Sequence, residues 1–107
     1  MGDIVISNED LVKQIMEVLE QFRSKIDDVF YEYKDDDDLD FDLFVDFGQD
    51  AMELELALSK IPYTVASQCI RGHVACGRIV TLTVYNLAVK EGLVKSMRKI
   101  GWRPNGG

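Results

Sequence analysis

The spacing of apolar positions changes period several times along this chain, and each change marks an element. Leu11, Ile15, Val18 or Leu19, Phe22 and Ile26 recur at steps of three and four, which predicts a helix over 8–26 with one apolar stripe. Ser7 is placed to cap it, and Glu9 and Asp10 suit the positive end of its dipole. The short run Ile4-Val5-Ile6 before it either staples against the first turns or adds an edge strand. Steps of two then take over. Val29, Tyr31 and Tyr33 alternate with Asp28, Glu32 and Lys34, and Phe41, Leu43, Val45 and Phe47 alternate with Asp40, Asp42, Phe44 and Asp46. Period two belongs to half-buried strands, so 28–34 and 40–47 read as a hairpin joined by the acidic loop 35–39.

Gly48 marks the end of the second strand. Asp50 followed by Glu53 predicts a capped helix start, with Ala51, Leu54, Leu58 and Ile61 on its inner face and Pro62 as its stop. Residues 63–70 read as extended. Residues 78–85, rich in β-branched and aromatic side chains, are the clearest strand, and Arg71–Gly77 between the two is a loop. Asn86 caps a last helix through Ile100 that turns Val89, Leu93, Met97 and Ile100 inward. Gly92 weakens that helix by about 1 kcal/mol relative to Ala. Gly101 ends it, and 103–107 read as a frayed tail.

The order α-β-β-α-β-β-α predicts an α+β domain: a mainly antiparallel four-stranded sheet with helices packed on one face. The other face stays wet and carries Asp28, Glu32, Asp40, Asp42 and Asp46. A length of 107 residues fits one domain, 1–107, that needs no disulfide or metal to hold its core. Hydrophobic residues at 47% exclude a wholly disordered chain, and the apolar runs are far too short to cross a bilayer. No cationic, apolar leader opens the sequence and only two cysteines occur, so a reduced, cytoplasmic setting is expected.

Charge alters this ordinary picture. The net charge is −7, but residues 1–55 hold 18 acids against four bases, while residues 56–107 hold one acid, Glu91, against eight bases. The acids concentrate on the first hairpin, at Glu32, Asp35, Asp36, Asp37, Asp38, Asp40, Asp42 and Asp46. A regular anionic row imitates a nucleic-acid backbone and suits a basic patch on a partner protein. The plainer reading is a solvated loop that maintains solubility and blocks edge pairing. The opposite charges of the two halves, with the stripe of the first helix, predict a homodimer, unless that stripe is satisfied within one core.

Other chemistry is thinly represented. The calcium-loop pattern fails in both acidic registers: position 6 is Phe41 or Leu43 and position 12 is Phe47 or Gln49. Cys69, His73 and Cys76 form C-x3-H-x2-C, which lacks a fourth Cys or His for zinc. The two cysteines could face one another across a hairpin neck as a disulfide, or pack as small reduced thiols. His73, the only histidine, would have to serve any Cys–His or Ser–His catalysis. No G-x-S-x-G, P-loop or G-x-G-x-x-G is present, so no enzymatic activity and no cofactor are expected. Lys90, Lys95, Arg98 and Lys99 make the last helix basic, but such cations suit its C-terminal dipole, and Trp102 beyond it can cover the edge of the core.

Element order, size and acidity together resemble class I type III secretion chaperones, acidic α+β homodimers that wrap an effector segment. That resemblance is architectural and implies no site residues. The same size and acidity are typical of phage-encoded inhibitors of host defence and of toxin immunity proteins. The expected function is therefore a small acidic protein-binding module: an inhibitor that occupies a basic, nucleic-acid-binding surface of a partner protein, touching neither nucleic acid nor membrane itself. Tyr31, Tyr33 or Phe44 would anchor it. The alternatives are a dimeric chaperone with an exposed apolar groove, and a thiol or metal-dependent enzyme centred on Cys69, His73 and Cys76.

Overall fold

A computed structural model describes residues 6–31, 39–62, 64–70, 77–84 and 86–102, with the backbone alone described at 31, 39, 40 and 68–70. Helix α1 spans Asn8–Gln21. Ser7 caps it by accepting a hydrogen bond from the Asp10 amide at 3.1 Å, and Leu11, Ile15, Met16 and Leu19 are buried. The expected run to Ile26 stops short. Phe22 ends the helix, a 3-10 turn occupies Arg23–Lys25, and the Phe22 carbonyl accepts from both the Lys25 and Ile26 amides. Ile26 then opens strand β1, Ile26–Tyr31, opposite Val45. Its side chain satisfies the helical spacing, but the β-branched residue finds its buried place in the sheet.

Strand β2 is Leu39–Val45 and helix α2 is Gly48–Ser59. Phe41, Leu43 and Val45 are buried as the alternation requires. Phe47 is not. It stands 66% exposed at the N-cap of α2, where its side chain makes no capping hydrogen bond. Gly48 is thus the first residue of the helix, and Asp50 lies within the first turn instead of capping it. The Asp50 carboxylate accepts from Lys25 Nζ at 3.0 Å. That hydrogen bond, then the carboxylate charge, raise the Lys25 pKa, so the pair contributes at neutral pH and its contribution is lost as pH climbs past the raised lysine value. Replacing Phe47 with Ser supplies the missing cap oxygen while removing little packing. Phe47→Ser is expected to stabilise the fold by about 1 kcal/mol, read as a higher denaturant midpoint with unchanged slope.

Strands β3, Thr64–Ile70, and β4, Arg78–Val84, form the second hairpin, and helix α3, Leu87–Lys99, closes the chain. Asn86 caps α3 by accepting from the Ala88 and Val89 amides. At the other end Gly101, at φ 96°, lets the Gly101 amide reach the Arg98 carbonyl and the Trp102 amide reach that of Met97. This paired arrangement satisfies two carbonyls the helix leaves over, and few side-chain-bearing residues tolerate that φ. Trp102 folds back on the core, with the Arg23 guanidinium 5.3 Å from the centre of its ring and donating to the Ile100 carbonyl.

The sheet order is β1-β2-β4-β3, antiparallel throughout. Phe41, Leu43 and Val45 of β2, Val80, Leu82 and Val84 of β4, and the inner faces of all three helices form one buried cluster, so the helices share one side of the sheet. This is the expected α+β architecture. The stripe of α1 is consumed in that cluster and is not available to a two-fold interface. Where α1 crosses α3, a Cβ built at Gly92 would lie 2.8 Å from Val12 Cγ2. A helical Val cannot readily swing its branches aside. Gly92→Ala is therefore expected to destabilise the fold by about 1 kcal/mol, because overpacking exceeds the helix-propensity gain. Combining it with Val12→Ala should restore most of the loss, which a double-mutant cycle measures.

Candidate binding face

The register fixes what stands on the side of the sheet opposite the helices. One row across it runs Asp28, Phe44 and Ile79; the next runs Phe30, Asp42, Thr81 and Ser67; a third takes Thr83 and Val65, and the backbone positions of Cys69 and Asp40 pair with Ile79 and Thr83. Among the described residues no element covers these rows. Neighbouring strands lie about 4.8 Å apart and same-face residues about 7 Å apart along a strand, so each position has close lateral neighbours. On the β1–β2 half these neighbours alternate. Asp28 adjoins Phe44, and Phe30 adjoins Asp42, giving a checkerboard of two carboxylates and two phenyl rings.

The carboxylates are positioned. Asp42, half-buried, accepts a hydrogen bond from Thr81 Oγ1 at 2.9 Å across the β2–β4 pair. Asp28, exposed, accepts from the Val29 amide at 2.9 Å. The β-bulge between Ile26 and Asp28 places Asp27 as the extra residue, also exposed, at the outer edge. Asp46 follows the end of β2 and is exposed. Phe30 and Phe44 are half-buried, each keeping part of its ring accessible. A carboxylate beside an accessible aromatic ring matches the two parts of an arginine or lysine side chain. The charged head pairs with the acid, while the stem, or a guanidinium plane, lies on the ring.

Of the acids expected on the wet face, Asp28 and Asp42 stand on it, Asp40 takes its place in β2 opposite Thr83, and Asp46 lies just past the strand. Glu32 and Asp35, Asp36, Asp37 and Asp38 fall outside the described residues, as do Tyr33, His73 and Cys76. The face is also more apolar than expected, since it includes Phe30, Phe44, Ile79 and Val65. Phe30 was missed although the period gave it away: it is two residues from Asp28 and so shares its side. Tyr31 pairs with Phe41 in register, and Phe30 and Phe44 are the described aromatic residues on the open face.

The second hairpin does not have the expected neck. Cys69 pairs with Ile79 and Ile70 with Arg78, so the residue across from Cys69 lies three positions beyond Cys76. Among the described residues no group of three metal-ligating side chains converges. No described helix is long and apolar enough to cross a membrane. Two grooves mark the helix side. One, between α1 and α2, is lined by Gln14, Glu17, Glu20 and Lys60 together with Val18 and Ile61; the other, between α1 and α3, is lined by Val12, Met16 and Ile100 with Glu9, Lys13 and Lys99 around them. The first is mixed in character, while the second is mostly apolar within a charged rim.

α3 holds one further surprise. Lys95, Arg98 and Lys99 are exposed, but Lys90 is fully buried. The spacing signal existed, because Lys90 stands three and seven residues before Leu93 and Met97 on the same helical face. A lysine there reads as solvated unless its four-carbon stem is counted as core material.

The chain matches no protein-family model, no curated protein and no solved structure.

Proposed function

We propose that this chain is a protein-binding module that presents the β1–β2 half of its open sheet face to a basic, arginine-rich surface of a partner, one that the partner would otherwise use to hold nucleic acid. The observation that carries this reading is the checkerboard of Asp28, Phe44, Phe30 and Asp42, placed in the half of the chain that holds 18 of its 19 acids. Fixed carboxylates steer a cationic partner into contact, and the adjacent rings give that contact a slower release than charge alone provides.

Oligo-arginine in titration against the purified chain tests the reading, with capture of basic proteins from the source cell at low salt as its companion. Affinity is expected to fall steeply as salt rises through about 0.1 M, where exposed charges are screened beyond roughly 10 Å. Asp28→Asn with Asp42→Asn should slow association. Phe30→Ala with Phe44→Ala should speed dissociation and weaken arginine binding more than lysine binding. Salt-insensitive binding, or variants indistinguishable from the parent in both rates, would remove the proposal.

A further inference from the structure

The two edges of the sheet are built differently, and the difference concerns what each can pair with. β1, at one edge, carries the bulge between Ile26 and Asp28 and the exposed acids Asp27 and Asp28. Bulges and inconvenient charges are how natural sheets keep an edge from pairing with another chain. β3, at the other edge, has none of these devices. Thr-Val-Ala-Ser-Gln-Cys-Ile contains no charge, no proline and no glycine, and its seven residues run in unbroken register with β4. Exposed apolar side chains sit close to it. Val65 is 50% exposed on β3 itself, and Met52 and Leu56 are 50% and 58% exposed on α2, which packs over β3 and β4. At 100° per residue, Met52 lies about 140° and Leu56 about 100° around α2 from Ala57, which lines its groove with α1.

We infer that β3 is a dimerisation edge, at which a second copy of this chain adds its own β3 antiparallel about a two-fold axis to make one continuous eight-stranded sheet. Charge favours β3 over β1 as the edge for a second copy. Two chains of net charge −7 that met at β1 would set Asp27 and Asp28 against their counterparts, whereas β3 brings no charged residue to its own pairing. The acidic strands also stay apart: β1 lies three strand spacings, roughly 14 Å, from the β3 edge within each copy, beyond the screening distance of about 8 Å at physiological salt. A two-fold through Ser67, the middle residue of β3 and exposed, sets that residue against itself. It also stacks Val65 on the second copy's strand and brings Met52 and Leu56 of both copies to the same seam.

Sedimentation of the full chain over a wide concentration range, with Ser67→Lys and Ser67→Glu, tests the inference. The parent is expected to approach twice 12.2 kDa at high concentration. Each variant alone should remain at 12.2 kDa because like charges then face one another, and an equimolar mixture of the two should recover the dimer. A parent that stays at 12.2 kDa at every concentration overturns the inference, as does a dimer that both variants leave intact. Hydrogen exchange on the parent gives a reading that no variant's folding can confuse. Amides of β3 should become slower to exchange as protein concentration rises while those of β1 do not, and concentration-independent β3 exchange overturns the inference equally.

Discussion

Phe41→Ala is expected to cost about 3–5 kcal/mol, much of the 5–15 kcal/mol that keeps a domain folded. Among the described residues Phe41 is the largest fully buried side chain, in one of the two central strands, with Leu82 opposite it on β4 and the Tyr31 position opposite it on β1. Removing the ring leaves a cavity bounded on its sides by hydrogen-bonded strands, which cannot move together to fill it without breaking the sheet ladder. Phe44, three residues on, is the control. It stands on the open face and is only half-buried, so Phe44→Ala should cost well under half as much. Denaturant unfolding of the two variants measures the difference. Equal losses would mean that the open face is covered by something as close-packed as the helical layer.

Lys90→Ala carries the second large effect, about 2–4 kcal/mol. Its whole side chain lies inside, so the substitution empties a volume comparable to that of Met and creates a core cavity. Lys90→Met refills that volume without an ammonium. That substitution keeps the packing of the stem, so Lys90→Met is expected to cost less than Lys90→Ala. The comparison separates stem from charge. If Lys90→Met lost as much stability as Lys90→Ala, the charged head and not the stem would be what holds α3 in place.

Period was the most informative quantity in the sequence where one neighbour decided each residue's side. From Phe41 to Val45 every second residue is buried, and Ala51, Leu54 and Leu58 of α2, with Ile61 just past its end, are buried as their spacing requires. Period misled at the joints. Ile26 and Phe47 each satisfy the rhythm of the element before them, and only tertiary placement shows that Ile26 pairs with Val45 while Phe47 is left in solvent. The candidate site was half legible. Acidic positions and their alternation were visible, so Asp28 and Asp42 could be put on one face. Their pairing with Phe44 and Phe30 required the strand register, which the bulge at Asp27 shifts by a residue and which no local rule supplies. Gly92 shows the same limit from the other side. Propensity counted it as a weakness, and the distance to Val12 makes it a requirement.

The closure of α1 on α3 bears on how the chain is made. Asn86 Nδ2 donates to Asn8 Oδ1, and Arg23 reaches the Ile100 carbonyl, contacts that span 78 and 77 positions of sequence. A ribosome adding about 5–20 residues per second takes roughly 4–16 s to travel from Asn8 to Asn86. Through that interval Leu11, Ile15 and Leu19 have been synthesised but the helix that covers them has not. The emerging half carries 18 acids against four bases, a like charge that opposes association between such segments while their apolar stripe is uncovered. The polarity of the sequence thus matches the order of translation, with the repelling half made first and the cationic half, which neutralises part of that charge, arriving with the elements that complete the core.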